Sequence, residues 1–309
     1  MHPALRSVFL ALVGAVLLLG TSAPAAEPAP PPPVVARIMA RPALWVVHSH
    51  AGSAYLFGSV HLLPPNIDWR SREVEKALAA SDVFVFEAPL GDSGKEKTTA
   101  FVRANGMLPP EVTLPSLFDD KTRRDYQAAL QLTHVSPDLI VHLRPWLAAL
   151  VLETHVATAM HYSPDSGVDR QVWAYATQQK KPTEALETVD EQLSLFMPKD
   201  RKLEVEEFDA SLKELGADTN QVGALVDAWT DGRVNEVGRL MNAGLKSTPG
   251  AMKLLIDDRN ARWVTRISTM LSQHRTYFIT VGAAHLAGPH GLPTLLAARG
   301  YRVTQIAPR

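Results

Sequence analysis

Two short apolar runs, Leu44–Val47 and Ala54–Phe57, flank the polar stretch His48-Ser49-His50-Ala51-Gly52-Ser53, a pattern that predicts a β-hairpin. Val74, Ala77 and Leu78 recur at helical spacing and predict a helix over Ser71–Ala80. Val83–Phe86 follows as an unbroken apolar run, as in a strand buried on both faces. Strand, helix and strand so close together read as a βαβ unit, whose crossover makes the two strands parallel and right-handed in connection. The middle of the chain is predicted to be mostly helical. Arg144-Pro145-Trp146 opens a helix towards Met160, Val168–Gln179 forms another, and Thr183–Leu186 is a short strand. A further helical stretch, rich in Glu, Leu and Ala, runs from Lys202 to Gly244 and reads as an insertion packed on the sheet. Ala251–Gln273 is a long amphipathic helix that leads into a strand at Tyr277–Val281. A helix at Leu292–Ala298, closed by Gly300, and a last strand at Tyr301–Ile306 complete the pattern. The class is therefore α/β: one domain over residues 37–309, with a central, mostly parallel sheet and a helical insertion.

The N-terminal segment has a different character. Arg6 precedes an apolar run from Val8 to Leu19, and Ala23-Pro24-Ala25 gives the small-residue pattern of a cleavage site. Residues 1–25 thus read as a secretory signal peptide, because the run falls short of the roughly 20 apolar residues of a spanning helix. Residues 26–36, rich in proline and alanine, read as a linker. The expectation is a periplasmic or secreted protein with no membrane attachment after cleavage. The chain has no cysteine, which excludes disulfides, zinc–thiolate sites and a thiol nucleophile. Its formal net charge is −1 and it lacks a dense Lys/Arg run, so nucleic acid is not an expected partner.

Candidate chemistry comes from an internal echo. Phe57-Gly58-Ser59-Val60-His61-Leu62 and Val281-Gly282-Ala283-Ala284-His285-Leu286 each place Gly-x-x-His-Leu directly after an apolar strand. In an open parallel sheet, ligands bind beyond the carboxyl ends of the strands. Glycine there permits a sharp turn, through positive φ or close backbone approach. Glu87 follows the strand Val83–Phe86, so parallel strands would bring His61, Glu87 and His285 to one sheet edge. Two imidazoles and a carboxylate form a mixed nitrogen/oxygen set that suits Mn, Fe, Co or Zn. Each residue alone has an ordinary structural alternative, such as a helix cap or a solvated turn; the three together favour a site.

These motifs, with Leu44-Trp45, Phe86-Glu87, Gly167-Val168-Asp169, Leu186-Glu187-Thr188 and Asp258-Arg259-Asn260, resemble the TraB/GumN family. That family is part of the superfamily containing the TIKI proteases and the haem-associated ChaN proteins. The resemblance covers nearly all of the chain after the linker. It implies a metal site like that of the TIKI members, which favour Mn or Co, and metal-dependent hydrolysis of a peptide bond. In that scheme His61 and His285 hold the metal and Glu87 is a third ligand or the base for the attacking water.

Asp169 begins a helix, where it could cap exposed N–H groups or serve the site. Glu187 follows a strand as Glu87 does, and could reach the same rim or make a buried hydrogen bond. Arg259 could steady developing negative charge or form a structural ion pair. His290 is close in sequence to His285, with a direction that Pro289 obscures. Trp146, Trp173, Trp229 and Trp263 read as core or groove-lining residues. Neither a Gly-x-Ser-x-Gly elbow nor a His-Glu-x-x-His motif is present. Two alternatives stay open: a non-catalytic binder of haem or another small ligand, and a metal-free hydrolase with histidine as general base.

Overall fold

The computed structural model describes residues 36–198, 200–215, 219–245 and 250–307. The segment expected to be a signal peptide, residues 1–25, and all of the expected linker but Ala36 lie outside the described residues. Eight strands are present among them: β1 (Ile38–Met39), β2 (Leu44–His48), β3 (Ser53–Ser59), β4 (Ile67–Asp68), β5 (Val83–Phe86), β6 (Thr183–Ala185), β7 (Thr276–Gly282) and β8 (Arg302–Ile306). β1 and β4 form a small parallel pair, and the other six make one sheet of order β6-β5-β7-β3-β2-β8. β2 is antiparallel to both neighbours, and β6, β5, β7 and β3 run parallel. The fold is thus α/β with a mostly parallel central sheet.

The predicted hairpin is the β2–β3 pair, with Trp45 opposite Leu56. β3 and β5 are parallel, as a βαβ unit requires, but they are not neighbours. β7 lies between them and pairs with both. Period-2 alternation divides the strand residues between two cores. Phe57, Phe84 and Phe278 pack on one face, with ring centroids 5.7 Å apart for each pairing with Phe278. Leu56, Val83, Val85 and Ile279 pack on the other. β5 is buried along its whole length, which accounts for its unbroken apolar run.

Helices cover both faces. The predicted helices correspond to Arg72–Ala80, Pro145–Ala159, Val168–Gln178 and Leu292–Ala298. The insertion consists of three helices, Arg201–Glu214, Thr219–Thr230 and Val234–Leu245, rather than one continuous stretch. Side-chain hydrogen bonds anchor it. Trp229 Nε1 donates to the Gly58 carbonyl at 2.8 Å, and Arg144 donates through Nε and Nη2 to fully buried Glu204. The long Ala251–Gln273 helix is not uniform either. A π-helical turn at Lys253–Asp257 precedes an α-helix over Asp258–Leu271, whose buried face carries Arg259, Asn260, Trp263, Val264 and Ile267. Among the described residues no helix is long and apolar enough to cross a membrane.

Candidate functional site

His61, Glu87 and His285 follow the carboxyl ends of β3, β5 and β7, which are adjacent and parallel. β7 brings the third residue between the other two by ending in Gly282, whose N–H donates to Glu87 Oε1 at 2.6 Å. The turns themselves differ from expectation. Neither Gly58 nor Gly282 has positive φ; Gly282 sits at −51°. Close approach is the operative property at Gly58, where an added Cβ would lie 3.0 Å from Ala283 Cα. His285 then sits in a 3₁₀ turn, Ala283–Leu286, and is buried.

Each imidazole is held by an oxygen at Nδ1. His61 Nδ1 bonds Asp169 Oδ2, and Gly167 permits that meeting. A Cβ at Gly167 would lie 2.2 Å from the His61 carbonyl oxygen, so only glycine lets the Val168–Gln178 helix start this close. Val168 N–H donates to Val60 O at 3.0 Å and fixes the approach. Asp169 does not cap the helix through a hydrogen bond; its carboxylate serves His61 instead. His285 Nδ1 bonds Asn260 Oδ1 at 2.7 Å, while Asn260 Nδ2 donates to the His285 and His290 carbonyls. Arg259 Nη1 stands 3.1 Å from His285 Nε2. A guanidinium only donates, so Nε2 is the acceptor and the His285 proton resides on Nδ1. His61 Nε2 is buried and has no hydrogen-bond partner among the described residues.

Arg259 binds the carboxylates together. Nη2 donates at 2.6 Å both to Glu87 Oε2 and to Glu187 Oε1, Nε donates to Glu187 Oε2 at 3.1 Å, and Nη1 also reaches Leu255 O at 3.2 Å. These contacts, with His285, occupy all five guanidinium N–H groups. Arg259 therefore has no donor spare for a developing oxyanion in this arrangement, and the ion-pair alternative describes it. Its guanidinium lies 4.5 Å from the centre of the Trp263 ring, and Trp263 lies 4.4 Å from the His285 ring. Glu187 is buried, donates its N–H to the Glu87 carbonyl at 2.8 Å, and keeps its carboxylate on Arg259.

The electrostatics follow from this packing. Burial by itself would raise the Glu87 carboxyl, but Arg259, His285, His61 and the Gly282 N–H together lower it to about 2. Burial, then the positive charge of Arg259, lowers His285 to about 3, so it is neutral near pH 7. Burial opposes charge on His61 too, yet Asp169 and Glu87 outweigh it and raise the imidazole above 6.5. Burial raises Glu187, partly offset by Arg259.

Gln192, not foreseen from the sequence, donates to Glu87 Oε2 at 3.1 Å. Its helix, Val189–Ser194, was legible in the Thr188-x-x-Glu191 capping box, which is formed. His290 contributes only its carbonyl; its exposed ring pairs with Asp257 at 3.0 Å. Ser59 is buried and its hydroxyl bonds neither histidine. Trp146, Trp229 and Trp263 are core residues, and half-buried Trp173 lines a cavity beside His61. Among the described residues no three His, Asp or Glu side chains stand ready to hold a metal ion, although His285 Nε2 and Glu87 Oε1 are 3.7 Å apart.

Comparison with known proteins places the chain among bacterial relatives. It is 25% identical over 252 residues to the uncharacterized protein YbaP of Shigella flexneri, covering 81% of this chain and 88% of that one. It is 24% identical over 245 residues to the uncharacterized protein YbaP of Escherichia coli K12, covering 78% and 87%. No solved structure matches significantly. The sequence signature of one family runs across the whole sheet and the insertion, from residue 43 to residue 305, and the chain belongs to that family, TraB/PrgY/gumN.

Proposed function

We propose that the chain is a divalent-metal-dependent hydrolase acting on peptide bonds, with His61, Glu87 and His285 as the metal-holding residues. The observation that carries this reading is the shared orientation of the two imidazoles. Each commits Nδ1 to an oxygen, Asp169 or Asn260, as metal-ligating histidines do, which leaves Nε2 to the cluster: that of His285 accepts from Arg259 and that of His61 has no partner among the described residues. Buried His61 Nε2 lacks a partner among the described residues, and an orphaned buried ring nitrogen calls for one. Charge balance supports the same reading. Glu87, Glu187 and Asp169 are 6%, 5% and 8% exposed, and Arg259 bonds the first two while Asp169 bonds His61.

The residues fit a metal in kind. The His285 lone pair now accepts from Arg259, so loading the site exchanges that hydrogen bond for a metal bond. A bound divalent ion supplies a water with pKa near about 7 and polarises a carbonyl. The chain's own groups divide the remaining work. Glu87, at about 2, is ionised and a weak base near neutrality, which favours a ligand role over a base role. Asp169 and Asn260 orient the rings, and Arg259 keeps two carboxylates together without neutralising both. A second reading has its own observation: His61 on Asp169 with Nε2 free is the arrangement of a general base and its orienting carboxylate, which needs no metal.

Metal-stripped protein titrated with Mn²⁺, Co²⁺ and Zn²⁺ tests the proposal, with His61→Ala and His285→Ala alongside and folding checked by circular dichroism. Both variants should bind the same metal more weakly than the parent while staying folded. Parent-like binding by both would sink the shared site. Peptide-library cleavage that survives chelation would transfer the chemistry to the His61–Asp169 pair.

A further inference from the structure

We infer that the cavity beside His61 is a subsite that selects a large, uncharged apolar side chain of a peptide substrate. This rests on the peptide-hydrolysis reading above and adds what that reading leaves open, the substrate class. The cavity measures about 510 Å³, within the ordinary range of small-molecule sites. His61, Glu87, Asp169 and Gln192 line it, so it opens onto the polar cluster. Much of the remaining lining is apolar: Ala88, Leu90, Val102, Trp173, Val189 and Leu193.

The walls and the cluster are the same elements. The turn that carries Glu87 at the end of β5 continues into Ala88 and Leu90. The helix that carries Asp169 carries Trp173 one turn later, on the same face. The helix that carries Gln192 carries Val189 and Leu193. A side chain seated in this cavity is therefore placed relative to His61 by rigid connections. Backbone packing fixes the shape further. Gly91 has φ of +73°, and a Cβ there would lie 2.5 Å from the Trp173 indole. A Cβ at Gly94 would lie 2.1 Å from the Pro89 carbonyl oxygen. Wall and indole thus meet through glycine contacts that a larger side chain at Gly91 or Gly94 would disturb.

Charge argues for a neutral guest. Asp92 and Lys95 are exposed and of opposite sign, and Arg170 pairs with Asp165. Neither sign prevails at the rim, while Asp169 and Glu87 would repel an acidic side chain. A basic side chain would lose water against an apolar wall and find Asp169 already bonded to His61 and Glu87 to Arg259.

Thr98 lines the cavity from the Gly91–Asn105 helix, is half-buried, and lies outside the cluster. Thr98→Trp should fill the space, with Thr98→Leu as a milder variant should the larger one fail to fold. The first measurement needs no catalysis: N-acetyl-phenylalaninamide, N-acetyl-alaninamide and N-acetyl-lysinamide are titrated into the full protein by NMR. The phenylalanine amide should bind roughly tenfold to a hundredfold more tightly than the other two, the factor that burying a large apolar side chain supplies. Thr98→Trp should abolish most of that preference at an unchanged melting temperature. The second measurement is the residue preference in peptide-library cleavage, which should move from large apolar to small residues in the variant. Discrimination among the amides without any cleavage would uphold the pocket and remove the hydrolase. Cleavage with no residue preference, or equal binding of all three amides, would overturn the subsite.

Discussion

Replacing Arg259 by methionine removes a positive charge while keeping an apolar stem against Trp263. Arg259 is 1% exposed and its guanidinium is bonded to two carboxylates that are themselves buried, Glu87 and Glu187. Breaking a buried ion pair costs about 3–5 kcal/mol, mostly because the abandoned charge stays buried. In a domain of this size each kcal/mol moves the melting temperature by about 2–4 °C, so Arg259→Met should melt roughly 6–20 °C below the parent at pH 7. The pH dependence carries the mechanism. Parent Glu87 is depressed from 4.5 to about 2, so its contribution is present above pH 4.5 and fades as pH falls towards 2. Without Arg259 the largest cause of that depression is gone, so the gap between parent and variant should narrow below pH 4.5. Adding Glu187→Gln to Arg259→Met should recover part of the loss, since one buried charge disappears. Calorimetry in metal-free buffer at several pH values measures all three effects. A shift of less than about 2 °C, equivalent to under 1 kcal/mol, or a gap independent of pH, would refute the idea that Arg259 balances these carboxylates.

Glu87→Gln should weaken metal binding in a titration, because the ligand charge is lost; an affinity equal to the parent's would show that Glu87 is not a ligand. Asp169→Asn should leave His61 in place but lower its pKa, visible in imidazole NMR, and weaken metal binding by about 10–100-fold, as loss of an orienting carboxylate does. The metal-free protein should lose stability as pH falls below 6.5, because unfolded His285 takes a proton that the folded state excludes until about pH 3. That effect has a ceiling on the order of 5 kcal/mol. His61 has the opposite sign: its raised pKa gives stability present below 6.5 and lost as pH rises through the folded value, so His285→Phe should flatten the acid limb and leave the neutral one.

The elements were legible where burial is uniform or periodic. β5 reads as an unbroken apolar run because both faces of the sheet are covered there, and Arg72–Ala80 reads as a helix because Val74, Ala77 and Leu78 form its buried face. The position of β7 was not legible. Nothing local in Thr276–Gly282 says that it inserts between β3 and β5, since that pairing is settled by contacts across the whole chain. The π-helical turn at Lys253–Asp257 was hidden for another reason: the residues keep a helical apolar spacing and only the backbone bonding changes. Asn260 and Gln192 illustrate the limit at the site. Both are neutral amides, and their value lies in which atom of a distant residue they reach.

Those amides also explain how the cluster tolerates so much buried charge. Glu87 accepts three hydrogen bonds, from Gly282 N–H, Gln192 and Arg259, so each carboxylate oxygen is satisfied before any ligand arrives. His285 is satisfied at both nitrogens, and Asp169 at one oxygen. His61 Nε2 is the exception, the one ring nitrogen of the pair of motif histidines that the described residues leave unpartnered. His61 is also the motif histidine that lines the cavity. A network that meets nearly every polar demand and leaves one nitrogen open is a directional arrangement. The paired motifs are alike in sequence but unequal in use: His285, between Arg259 and Asn260, would have to give up its Arg259 bond to take a ligand, whereas His61, held through Nδ1 by Asp169, has nothing to give up.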